Sequence, residues 1–95
     1  MWLHAIAAAI AILLGFILAI TAIQWLVILL CIGAVFALEI INTAIEALVD
    51  HLHPERHPKI GLVKDLAAGA VLIAAILSLI IGCIIFLPLI WAHAG

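Results

Sequence analysis

The chain has 95 residues, of which 72% are hydrophobic and 8% charged, and its mean hydropathy of +1.62 excludes an ordinary soluble globular domain. At about 20 apolar residues per bilayer crossing, the length accommodates three transmembrane helices and leaves nothing for a soluble domain, so the expected fold is all-α, a single integral membrane three-helix bundle. A formal charge of −2 with only three Lys and Arg residues excludes nucleic acid as a partner.

The first apolar segment runs from about residue 2 to 20. It lacks the positively charged start of a cleavable signal peptide, so it is expected to remain in the mature protein. "TAIQW" reads as a short turn into a second segment, about 25 to 49. The stretch 50 to 65, "DHLHPERHPKIGLVKD", is the polar loop, with two prolines and a glycine. It holds Arg56, Lys59 and Lys64, the only Lys and Arg residues of the chain, which places it in the cytoplasm together with the N-terminus and leaves the C-terminus outside. The third segment, about 66 to 91, opens with "AAGA" at 67 to 70 and continues through Ser78 and Gly82, small residues that allow helices to approach closely. Trp2 at the inner boundary, and Trp25 and Trp91 at the outer one, fit the interfacial preference of indoles. Cys31 and Cys83 lie in apolar runs and read as packing residues. Three helices enclose little interior, so a homo-oligomer is expected.

The chemistry concentrates in "EIINTAIEALVD", residues 39 to 50. At 100° per residue, Asn42, Glu46 and Asp50 fall at about 300°, 340° and 20° from Glu39, one stripe on one helix face. With Trp25 at the outer interface, Glu39 lies about 9 Å short of the cytoplasmic edge of a 30 Å core, while Glu46 and Asp50 emerge near the headgroups. Ionisable groups in the membrane cost at least a few kcal/mol and mark bundle interiors or watered clefts. Glu39 and Glu46, about 10 Å apart along the axis, are too far apart to share a proton but suit separate tasks: proton transfer at one, cation binding at the other. Lys64 is a point charge suited to an anionic cofactor near the membrane surface, with Arg56 and the histidines as further donors. Arg56 and Lys59 also read simply as cytoplasmic anchors. His51, His53 and His57 are too loosely spaced for a zinc site and read as surface or nucleotide-contacting residues. His4 reads as interfacial, His93 as part of a solvated tail.

In order and spacing, "EIINTAIEALVD", "HPERHP" and "KDLAAGAVLIAAI" resemble the prokaryotic diacylglycerol and undecaprenol kinases, small trimeric lipid kinases of the inner (cytoplasmic) membrane, over essentially residues 4 to 91. The resemblance implies phosphorylation of a membrane lipid alcohol by ATP with Mg2+. Glu39 would be the general base on the lipid hydroxyl, with Asn42 and Ala68 beside the lipid. Glu46 would ligate magnesium on the nucleotide, Lys64 and Asp65 would contact it, and Glu55, Arg56 and His57 would lie against it. A homotrimer with sites shared between subunits is implied as well. Members of the family usually begin with an amphipathic surface helix carrying a second metal-binding glutamate. These residues begin at about the first transmembrane helix, so the magnesium site is expected to be short of a ligand unless another group supplies it. Two other classes stand beside this reading. A small proton-coupled transporter would use Glu39 alone, and a non-catalytic kinase homologue would only oligomerise.

Overall fold

The computed structural model describes residues 1–55 and 57–94. Three antiparallel helices follow one another: α1 (Trp2–Ile17), α2 (Ala22–Leu52) and α3 (Pro58–Ala94). They form a rod of 56 × 20 × 17 Å. α2 packs against both neighbours, and α1 touches α3 only slightly.

Local chemistry sets the helix ends, and they differ from the expected ones. α1 stops at Ile17 because Ala19 takes a left-handed backbone conformation, φ 50°. The N–H of Ile20 then donates to the carbonyl of Gly15 at 3.1 Å, and that of Ala19 to the carbonyl of Phe16 at 3.4 Å. This is the Schellman pattern, which absorbs the last free carbonyls of a helix. α2 starts at Ala22 rather than near Trp25 because Thr21 and Gln24 form a capping box. The Thr21 hydroxyl accepts from the Gln24 N–H at 3.2 Å, and the Gln24 side-chain oxygen accepts from the Thr21 N–H at 2.9 Å. Two otherwise unpaired donors are satisfied at once.

α3 begins at Pro58, eight residues before the expected start at 66. Proline is tolerated in a first turn, where its missing N–H costs nothing. The His57 ring accepts the Lys59 N–H on Nδ1 at 3.2 Å, as an N-cap side chain does. α2 in turn runs on to Leu52, so the polar connection shrinks to residues 53–57 and 11 of the 16 residues of the expected loop belong to the helices.

The buried core is small: Ile20, Ile28 and Phe86 cluster near the α1–α2 turn, with Leu14, Trp25 and Ile32 among the side chains around them. Val35 is buried further along α2. Gly15 permits the close approach here, since a Cβ at this position would stand 2.6 Å from Cη2 of Trp25. The Trp25 indole is in turn held against Phe16, ring centroids 4.9 Å apart.

Most large apolar side chains point outward. The accessible surface is 6965 Å², against about 5,300 Å² for a compact soluble monomer of this mass. Such a surface needs lipid or partner chains around it. Among the described residues α2 and α3 are long and apolar enough to cross a membrane. α1, with 16 residues, reaches about 24 Å, short of a 30 Å core when upright.

Gly15→Ala is expected to destabilise the bundle by about 1–3 kcal/mol, because the methyl must displace an indole that also packs against Phe16. Denaturant unfolding in detergent micelles measures this, and an unchanged midpoint would contradict the close approach.

Candidate functional site

The polar stripe of α2 forms as one face of a continuous helix and passes from buried to wet along its length. The Glu39 side chain is 12% exposed and Asn42 is half-buried, whereas Glu46 and Asp50 are exposed. An intramembrane carboxylate needs a partner, and α1 supplies one. His4 Nδ1 is hydrogen-bonded to Glu39 Oε1, and the amino group of Met1 stands 3.8 Å from the same oxygen. A carboxylate only accepts, so the ring nitrogen is the donor. Among the described residues, Glu39 Oε2 and Asn42 Oδ1 are buried without a hydrogen-bond partner. One helical turn therefore presents two open acceptors.

Two concavities flank this turn. An apolar groove of about 540 Å³ runs between α1 and α3 on a floor of α2, lined among others by His4, Ala11, Ile32, Ser78 and Phe86. A polar cleft of about 560 Å³ lies at the other end, where α2 passes into α3. It gathers Asp50, His53, Glu55, His57, Lys64 and Asp65. Inside it Lys64 Nζ donates to Asp50 Oδ1.

The structure thus brings Glu55, His57, Lys64 and Asp65 into one cleft and leaves Glu39 and Asn42 further up α2. Glu46 is exposed between them on the same helix. Ala68 is exposed on α3. The antiparallel register that joins Asp50 to Lys64 and packs Ile28 with Phe86 sets Ala68 level with Glu46. Arg56 lies outside the described residues. Among the described residues no group of three or more His, Cys, Asp and Glu side chains is placed to hold a metal ion. Glu46 still fits a nucleotide-borne magnesium, which keeps its waters and takes one or two carboxylates along with phosphate oxygens.

Sequence reasoning missed the partnership of His4 with Glu39 and that of Asp50 with Lys64. Both follow from hairpin register. Once the turn at 18 to 21 is placed, the chain folds back so that residue 4, 14 residues before it, comes within about one helical turn of the level of residue 39, 18 residues after it, a gap the two side chains close.

Residues 1–86 match the family model described as prokaryotic diacylglycerol kinase. The undecaprenol kinase of Bacillus subtilis (strain 168) is 47% identical over 85 residues, 90% of this chain and 69% of that protein. The diacylglycerol kinase of Escherichia coli (strain K12) is 46% identical over 61 residues, 64% of this chain and 47% of that protein. That of Haemophilus influenzae is 38% identical over 80 residues, 83% and 68% of the two chains. The chain thus spans about half to two thirds of the length of these relatives. No solved structure matches it significantly.

The Asp50–Lys64 pair is largely exposed, at 61% and 34% of the side chains, so its stabilising effect is expected to be small. A double-mutant cycle with Asp50→Asn and Lys64→Met should give a coupling below about 1 kcal/mol that fades with added salt. A larger, salt-insensitive coupling would mean that the pair is sealed from water.

Proposed function

The chain belongs to the prokaryotic diacylglycerol kinase family, a family of lipid kinases, and on that premise we propose that it transfers the γ-phosphoryl group of ATP to the hydroxyl of a lipid alcohol held in the membrane. Undecaprenol is the favoured acceptor and diacylglycerol the other, because the similarity to the undecaprenol kinase covers 90% of the chain. One observation carries the proposal. Glu39 offers a buried open oxygen on the same helix face that leads to a polar cleft holding Lys64.

In this reading Glu39 Oε2 accepts the proton of the lipid hydroxyl while that oxygen attacks the γ-phosphorus, which is general-base catalysis. The bond from the γ-phosphorus to the bridging oxygen breaks, and ADP leaves. Asn42 and Ala68 line the position of the lipid headgroup. Lys64 exchanges its contact with Asp50 for a phosphate oxygen and neutralises charge on the triphosphate, with Asp65, Glu55, Arg56 and His57 around the nucleotide. Glu46 would hold the magnesium that accompanies ATP, which would offset the negative charge of the phosphate groups. Positioning and electrostatics of this kind supply most of the catalysis in phosphoryl transfer. The cleft and the connection between α2 and α3 face the cytoplasm of a prokaryotic inner membrane, where ATP is found. The outward-facing apolar surface is covered by lipid and by two further copies of the chain, in a homotrimer whose subunits share sites. A proton-coupled transporter would need Glu39 but gives no reason for the cleft.

Glu39→Gln is expected to lower kcat at least about 100-fold with the oligomer intact. Lys64→Met is expected to raise KM for ATP about tenfold or more while leaving KM for the lipid nearly unchanged. Transfer of label from γ-labelled ATP to each alcohol in bilayers measures both. Turnover in Glu39→Gln at the unmodified rate would remove the general base.

A further inference from the structure

Glu39 has two oxygens in unequal surroundings. Oε1 is taken by His4 Nδ1 and faces the Met1 amino group at 3.8 Å, whereas Oε2 is buried and has no partner among the described residues. Asn42, about one helical turn further along α2, likewise keeps its Oδ1 buried without a partner among the described residues. The Met1 amino group is half exposed and at the long end of ion-pair range, so it is the weaker partner. His4 is the better buried donor, 26% exposed on its side chain, and it also lines the apolar groove.

A glutamate side chain has several rotatable bonds, and rotation about the last of them would exchange its two oxygens. A hydrogen bond from another helix suppresses that exchange and leaves the same oxygen open. The donor comes from α1, whose position depends on the turn at 18 to 21, so the carboxylate is aimed by the bundle and not by its own helix alone.

From this the geometry points to His4 as a positioning residue for the phosphoryl transfer: it holds Glu39 by Oε1 so that Oε2 faces the acceptor hydroxyl. The assignment rests on Glu39 being the general base. His4 itself exchanges no proton with substrate, and its ring acts through Glu39.

Two readouts test it on the 95-residue chain in bilayers. In ¹⁵N imidazole spectra at mildly alkaline pH, His4 should carry its proton on Nδ1, and Glu39→Leu should shift it to Nε2, whether or not the chain turns over. In kinetics, His4→Leu should lower kcat about 10- to 100-fold, the usual effect of a base displaced by about 1 Å, with both KM values within about threefold. His4→Asn, whose amide N–H stands where Nδ1 was, should recover most of kcat. His4→Gln, which reaches toward the Nε2 position, should not. A folded His4→Leu with unreduced kcat, beside an inactive Glu39→Gln, overturns the positioning role and leaves the general base standing. Turnover in Glu39→Gln would instead remove the base and His4's role with it. If His4→Leu does not fold, equal rates for the Asn and Gln variants overturn the proposal.

Discussion

The organisation of this protein depends on one buried carboxylate. Glu39 sits in an apolar helix where a lone charge would be costly, and the helix that relieves it is the one before it in sequence. That relief is arranged from a distance. The Schellman turn after Ile17 and the capping box at Thr21 fix where the chain reverses, and Gly15 lets the two helices close on Trp25. The register set there carries His4 within reach of Glu39. Among the described residues that carboxylate is satisfied on one oxygen only.

The proposed reaction must join a molecule that lives in oil to one that lives in water. α2 answers this by its length. At 31 residues it reaches about 46 Å, well beyond a 30 Å core, so one helix can place an acid among hydrocarbon and another in solvent. Glu39 and Asp50 are about 16 Å apart along it, with Glu46 between. The apolar groove and the polar cleft lie at the two ends of this interval. α3 contributes Lys64 and Asp65 at the wet end and the small residues 67 to 70 at about the level of Glu46.

Much of this was legible in the residues. The stripe from Glu39 to Asp50 follows from helical periodicity alone, and its rise in exposure along the helix agrees with the depths read from Trp25 and the helical rise. Lys64 and Asp65 stand out because charges are so few. The helix ends were harder to read. Thr21 and Gln24 spell a capping box, but Trp25 draws attention as an interfacial marker and hides it. Pro58 looks like a loop residue until His57 is seen capping the helix that begins with it. The contact of His4 with Glu39 was the least accessible, because it joins residues 35 apart through a turn whose exact length sets the pairing. A short polar residue near a helix end gives no local sign of which distant acid it will meet.

The central claim is that this chain carries phosphate from water into the membrane. Incubating it in vesicles that contain undecaprenol and diacylglycerol, with magnesium and γ-labelled ATP outside, measures that directly. Label should appear in an extracted lipid phosphate, ahead for undecaprenol, in proportion to the protein added. ATP bound or hydrolysed with no label in either lipid would contradict it.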